Sequence, residues 1–407
     1  MLYKNKIKVQ NILKSAVALM LMLTLSLSTA LSPLAKAEEA RWTWKTLTSA
    51  PVSSDLKGIY ISPDGSKLFI QEEDSSHNAT LWMSADDGAT WRKIFSKQIN
   101  LEHAVFSADG SKMVLGNLGT SRFYISTDGG QSWTENQNND VVAPTISPDG
   151  SFLASCSGGS GTAYTTHIST DNGQTWTQKG TNNVSCAGYA SNNGALIAQG
   201  ANGDLAKSTD YGQTWTETPG VLNYDRPQSY SNDGNYIFEG DRISLDGGNH
   251  WTPSNAPIPA GKDVVRTGIS DDGKKLFINT EPLTGANPRI MTLLTSVDGG
   301  RTWRSEDVRD SDTVMSNDGS KLFNAYADNN GRFVYRVGTL PTPQPVTPGA
   351  GAGGAVAPST GSTPAALNQK PGKASGRLAE TGTSTWMVGG LAAIAVAAGA
   401  LVLRKRL

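Results

Sequence analysis

The sequence predicts an all-β fold: a seven-bladed β-propeller of four-stranded antiparallel blades, the last closed by the N-terminal strand 41–49. Three observations predict it. Two short motifs alternate strictly along the chain, the residues around them read as strands, and one motif occurs once more than the other.

The first motif is S-x-D-x-G-x-T-W. It appears as SADDGATW (84–91), STDGGQSW (126–133), STDNGQTW (169–176), STDYGQTW (208–215), SLDGGNHW (244–251) and SVDGGRTW (296–303), at intervals of 36 to 52 residues. The second is S-x-[DN]-G, at 62–65, 107–110, 147–150, 191–194, 231–234, 270–273 and 316–319. GIYI precedes the first S-x-D-G and KLFI follows it; TLWMS leads into SADDGATW, and Trp91 opens WRKIF. Short runs rich in β-branched and aromatic residues, bounded by Asp/Asn-Gly turns, are the mark of antiparallel hairpins. Each unit is therefore strand A, an S-x-D-G turn, strand B, a variable loop, strand C, the Asp-rich turn, then strand D. No amphipathic helical pattern interrupts the series.

Seven A–B turns against six C–D turns leave the last unit, 312–337, short of one strand. RWTWKTLTS (41–49) supplies it, with Trp44 in the place that Trp91 holds in WRKIF. Closure of this kind removes an exposed sheet edge.

The eight-residue motif resembles the Asp box, or BNR repeat, of sialidases, sortilin-type receptors, xyloglucanases and photosystem-assembly propellers, across residues 41–338. The resemblance implies the fold and leaves function open, because those relatives do unrelated things. Physically the motif reads as architecture. Asp86, Asp128, Asp171, Asp210, Asp246 and Asp298 accept N–H groups of their own turns. The following Gly supplies the positive φ. Trp91, Trp133, Trp176, Trp215, Trp251 and Trp303 pack between sheets, each contributing roughly 2–3 kcal/mol. Six equivalent turns on radiating blades do not converge on one ligand, and no copy has the spacing of a calcium loop.

Strand order places A–B and C–D turns on one face and the irregular B–C and D–A loops on the other. Loops on a rigid scaffold are where function is usually placed. The candidate surface comprises 71–80, 96–103, 116–122, 134–142, 157–166, 178–184, 219–228, 253–266, 281–289 and 306–312. Its candidate ligand-binding residues are Arg122, Tyr224, Arg226, Arg242, Arg266 and Arg289, near Asp225, Glu239 and Asp241. A sialidase would need an R-I-P motif ahead of the first Asp box, and none is present; no H-E-x-x-H, G-x-S-x-G or P-loop occurs either. The four histidines show no ligand spacing. The sequence thus assigns no catalytic residue, metal or cofactor. It favours a binding or adhesion module, with a sialidase-like glycoside hydrolase and an assembly or chaperone propeller as the alternatives.

The ends point to export. Residues 1–37 carry lysines, then an apolar run from Ala16, then Ala35-Lys36-Ala37, the layout of a cleaved secretory signal. Residues 38–338 form the propeller. Residues 339–377, rich in Pro, Gly, Ala, Ser and Thr, read as a spacer. Residues 378–407 hold LAETG, an apolar run from Trp386 to Leu403, and Arg404, Lys405 and Arg406. This tail resembles the LPxTG cell-wall sorting signal of Gram-positive surface proteins, with Ala379 where Pro is usual. The resemblance implies sortase and peptidoglycan as partners, Leu378, Thr381 and Gly382 as the processed motif, and membrane contact only through this segment before processing. A plain C-terminal membrane anchor is the alternative. Beyond these, the ligand is an unknown glycan or protein. A formal net charge of −1 without a basic stripe argues against nucleic acid. Cys156 and Cys186 lie in the exported part, where a bridge persists, but no spacing ties them together; two inert buried thiols fit equally.

Overall fold

The computed structural model describes residues 41–51, 56–116, 122–137, 141–158, 163–200, 203–223, 226–283 and 289–341. These form seven four-stranded sheets, each antiparallel and in the order A-B-C-D, and no helix occurs among the described residues. Blade 1 comprises Leu56–Ile61, Leu68–Glu73, Asn78–Ser84 and Arg92–Gln98. Blade 6 is the longest, with Lys262–Ile269, Leu276–Pro282, Ile290–Ser296 and Arg304–Arg309. Blade 5 is the thinnest: Ser229–Tyr230, Ile237–Phe238, Arg242–Ser244 and Thr252–Pro253.

Blade 7 takes strands A, B and C from Asp312–Met315, Lys321–Ala327 and Phe333–Thr339, and its outer strand from Thr43–Thr46. The expected closing strand is present, although its ladder is shorter than 41–49. One more link follows it, Leu47 N–H donating to Tyr335 O at 2.8 Å. The register is readable from packing. A Cβ on Gly88 of the blade 1 Asp box would meet Leu47, as one on Gly130 of blade 2 would meet Ile94. Leu47 and Ile94 each lie three residues after a tryptophan, so Trp44 does occupy the place of Trp91.

The core is divided among the blade interfaces. Trp133 joins Phe95, Leu81 and Phe106; Trp176 joins Phe123 and Val105 of blade 2; Trp251 joins Tyr189 and Leu205 of blade 4. Each Asp-box tryptophan thus reaches back to the preceding blade. Trp133 adds a hydrogen bond, Nε1–H donating to Ile94 O at 2.7 Å.

The S-x-[DN]-G turns do something their sequence did not disclose. Their second residues link blade to blade around the whole axis. Asn317 N–H donates to Pro63 O (2.8 Å), Asp64 N–H to Ala108 O (2.9 Å) and Ala108 N–H to Pro148 O (2.5 Å). Asp149 N–H donates to Asn192 Oδ1 (2.7 Å), and the Tyr189 hydroxyl to Asn232 Oδ1 (3.3 Å). Asn232 N–H donates to Asp271 Oδ1 (2.7 Å) and Asp271 N–H to Asn317 O (2.6 Å), which closes the ring. A lysine two residues after the turn glycine reinforces several links. Lys67 donates to Asp109 O, Lys112 to Gly150 O at 2.8 Å and Lys321 to Gly65 O at 2.7 Å.

Strands extend further toward the opposite face than expected. Lys262–Ile269 and Thr177–Asn182 run into segments read from sequence as loops, so Arg266 belongs to a strand. The predicted signal peptide, most of the spacer and the sorting signal, with Leu378, Thr381 and Gly382, lie outside the described residues. No helix among those described is long and apolar enough to cross a membrane.

Candidate functional site

The two faces carry different chemistry. On the turn face, STDYGQTW shows how an Asp box is built. Ser208 Oγ donates to Asp210 Oδ1 (2.8 Å) and accepts from Gly212 N–H (2.8 Å). Asp210 accepts from Thr214 N–H (2.9 Å) and Thr214 Oγ1 (2.6 Å). Tyr211 and Gly212 both have positive φ, 59° and 75°. The pattern repeats in the other five boxes, with His250 N–H and Nδ1 taking the Thr role at Asp246. Hydrogen bonds from the box Thr side chain and backbone hold Asp86, Asp171 and Asp210 down at about 2, and His250 does the same for Asp246. A carboxylate so engaged is locked as an acceptor and has no proton to give at neutral pH. All six aspartates serve their own turns.

On the loop face, the candidate arginines divide into two groups. Arg122 pairs with Glu135 of the same blade (3.2 Å), and Arg289 pairs with Glu281 of its own blade. These two belong to blades 2 and 6 and form no shared site. Tyr224 and Asp225 lie outside the described residues. Arg226, Arg242 and Arg266 form the second group, at blades 5 and 6.

Blade 5 supplies the floor of this group. Its B–C connection, Glu239-Gly240-Asp241, is the shortest of the seven. Glu239 is fully buried and accepts from Asn223 N–H (2.7 Å), Gln228 Nε2 (3.3 Å) and Arg242 Nε (2.5 Å). Arg242 also donates to Val221 O (2.9 Å) and stacks 4.3 Å from the Trp251 ring centroid. That arginine is therefore fixed at every end.

Arg226 and Arg266 are not. They flank a hydrogen bond in which the Thr267 hydroxyl donates to Pro227 O (3.3 Å). Arg226 Nη2 lies 3.6 Å from Asp241 Oδ2, which is charge pairing without a hydrogen bond. Its Nη1 is buried with no hydrogen-bond partner. Arg266 Nη1 lies 3.0 Å from Asp312 Oδ1, yet that nitrogen too is buried in a geometry that makes no hydrogen bond. Burial pushes the Asp312 carboxyl up, and Arg266 opposes that shift. Asp312, at the start of strand A of blade 7, is the member of the group that the sequence did not single out. It is separated from Arg266 by a whole blade of sequence, and only the topology brings them together.

Cys156 and Cys186 form a disulfide, with Cα atoms 5.3 Å apart. It ties strand B of blade 3 (Leu153–Ser157) to the segment entering blade 4 at Ala187.

Comparison with known proteins bears on the repeats. The BNR/Asp-box repeat model matches residues 124–135 and 167–178. The chain carries Asp-box repeats on a seven-bladed β-propeller. Among solved structures, YCF48 from Cyanidioschyzon merolae aligns over 72% of this chain and 98% of its own, with 15% identity and a TM-score of 0.49. The Kuenenia stuttgartiensis hydrazine synthase aligns over 71% and 97%, with 16% identity and a TM-score of 0.48. The Cps50 (Swd1) β-propeller domain of Myceliophteria thermophila aligns over 73% and 99%, with 11% identity and a TM-score of 0.50. At such identities the likeness is one of fold. No curated protein sequence matches this chain.

Proposed function

We propose that this Asp-box propeller is an exported, wall-anchored binding module, and that its loop face engages an acidic group on a glycan or protein ligand. The observation that carries the reading is the pair of buried guanidinium nitrogens, Arg226 Nη1 and Arg266 Nη1, left without hydrogen bonds on that face. Buried polar groups without hydrogen bonds are rare, and a guanidinium with N–H donors to spare matches the oxygens of a carboxylate or phosphate. Asp241 and Asp312 hold the two guanidinium groups in place while leaving that donor capacity unused.

Chain direction supports the same reading. Strand C of blade 7 runs toward the turn face and ends at Thr339. A spacer continuing from there leaves from the turn face, so an anchored propeller presents its loop face away from the anchor. Export and sortase attachment rest on the sequence signals at the two ends.

The test is a glycan and protein array probed with the purified protein and with Arg226→Gln and Arg266→Gln variants. The expected result is retention of acidic glycans or acidic protein segments by the native protein and loss of that signal in both variants. Retention unchanged in both variants would overturn the reading.

A further inference from the structure

The seams between blades are sealed by a recurring contact, and one seam lacks it. Where a blade meets the Asp box of the next, its strand D, or the chain just beyond, covers the glycine at the fifth box position. A Cβ on Gly88, Gly130 or Gly173 would meet Leu47, Ile94 or Asn136, and one on Gly300 would meet Ser254 O. At Gly212 the cover is backbone, Gly180 N–H donating to Gly212 O at 2.8 Å. Between blades 4 and 5 a Cβ on Gly248 would meet only Leu205 of strand C and Ile237 of its own blade. The cause is local. Strand D of blade 4 is just Thr216–Thr218, because Pro219-Gly220 follows and turns the chain away, with Gly220 at φ 64°. A cleft of about 290 Å³ is left open at the rim, lined by Leu205, Lys207, Thr209, Thr216, Thr218 and Asn249 among others.

Lys207 breaks the repeat at the same place. The residue before the box serine is Met83, Ile125, Ile168, Ile243 or Thr295 in the other boxes, and all five are buried. In blade 4 it is a half-buried lysine whose Nζ donates to Gly247 O across the seam. Among the described residues no carboxylate lies within ion-pair distance of it. Asp246 acts on it from further away, with its own oxygens accepting from Ser244 and His250. Glu217 of strand D accepts from Asn183 N–H (2.7 Å), in the chain leading into blade 4. Burial pushes the Lys207 ammonium below its ordinary value, and Asp246 opposes that shift.

A desolvated ammonium with N–H donors to spare gains from an anionic oxygen brought beside it. A phosphoryl group supplies several strong acceptor oxygens at once. The rest of the cleft suits a hydroxylated body. The Thr209, Thr216 and Thr218 hydroxyls, none of them hydrogen-bonded among the described residues, line the same space. Asn249 spends its Nδ2 on Asp246 O (2.7 Å) and keeps its carbonyl oxygen as an acceptor. The volume is larger than a bare ion fills and sits at the small end of organic-ligand pockets. We propose that the cleft between blades 4 and 5 binds a phosphorylated polyol of about monosaccharide size, its phosphoryl group on Lys207 and its hydroxyls among the threonines and Asn249.

The experiment is titration calorimetry of the purified protein at fixed ionic strength with glucose 6-phosphate, glucose and inorganic phosphate. Saturable binding of the ester is expected, at least about ten-fold tighter than either part alone. Lys207→Met restores the residue that blade 1 has at this position and is expected to erase the preference for the ester over glucose. Thr218→Ile, which puts the side chain of Ile94 at the equivalent place and closes the seam, is expected to block ester and glucose alike, with circular dichroism verifying the fold of each variant. Arg226→Gln is expected to leave ester binding unchanged, which separates this cleft from the loop face. Absence of saturable ester binding, equal affinity for glucose or for inorganic phosphate, or ester binding that survives Lys207→Met would overturn the proposal.

Discussion

The turn face and the loop face of this propeller are built from the same four-stranded units and have opposite habits. On the turn face, thirteen motifs repeat the same few side-chain roles: serine bridges, aspartate accepts, glycine turns. On the loop face the connections differ in length and sequence, and only a few share a pattern, as the B–C turns of blades 1 and 7 do at Asp74–Asn78 and Asp328–Arg332. The lesson is that repetition records what every blade needs, whereas a function needed once is written where the repeat lapses. Blade 5 shows the trade most sharply. Its strands are two or three residues long against six to eight in blade 6, yet it provides Glu239, Asp241 and Arg242, and the segment leading into it carries Arg226.

Several measurements can break or sharpen this contrast. The largest expected effect is acid unfolding that begins at the turn face. Asp86, Asp171, Asp210 and Asp246 have folded values of about 2, below the ordinary carboxylate value. A depressed folded pKa means that the unfolded state binds protons first. The stabilisation is therefore complete above about pH 4 and is lost as pH falls toward 2. A pH series of thermal melts is expected to show Tm dropping steeply in that window. A flat profile there would mean that the boxes do not hold the blades.

The next effect belongs to the loop-face end. Replacing both Cys156 and Cys186 by serine opens a crosslink spanning 30 residues, and is expected to cost about 3–4 kcal/mol in urea denaturation. A loss below about 1 kcal/mol would mean that the irregular side near blades 3 and 4 is held by packing alone.

Gly212→Ala probes the turn itself. At φ 75° a Cβ would lie 2.5 Å from Thr166 Cγ2, so about 2 kcal/mol is expected to be lost. Gly220 has φ 64° but open space around it, and its alanine variant is expected to cost about 1 kcal/mol. Equal costs would show that backbone strain alone governs both sites. Ser244→Ala, which removes the buried hydroxyl joining Asp246 to Gly248 N–H, is expected to cost about 1–2 kcal/mol. The smallest stability effect is expected for Arg226→Gln, within about 0.5 kcal/mol of native, because its Nη1 makes no hydrogen bond and its ion pair with Asp241 is long, at 3.6 Å. A large loss there would convert it from a ligand-facing residue to a structural one.

The fold was legible because its turn chemistry is local. Ser, Asp, Gly and Trp act within eight residues of one another, and so they leave a readable period. The turn ring was not legible, because four of its seven links run through backbone atoms alone, and the other three use the side chains of Asn192, Asn232 and Asp271, which a turn residue carries for its own reasons. The candidate site was half legible. Arg226, Arg242 and Arg266 stand out by type and by their place opposite the turns. Their sorting from Arg122 and Arg289 depends on partners such as Asp312 and Glu239, which only packing reveals. Burial of Glu239 has no sequence signature, since a glutamate beside a Gly-Asp turn reads as a solvated loop acid.

Blade 7 has one further consequence. Its strand C, Phe333–Thr339, is bordered on one side by Lys321–Ala327 and on the other by Thr43–Thr46. Trp44 lies over Arg336, 4.1 Å from its guanidinium, and against Gly338. Tension applied to Thr339 along the strand therefore loads two hydrogen-bonded ladders in shear at once, and does not peel a strand from an open edge. The closure that completes the ring also makes it a mechanical clamp, set at the point where a pull on the chain beyond Thr339 would enter the domain.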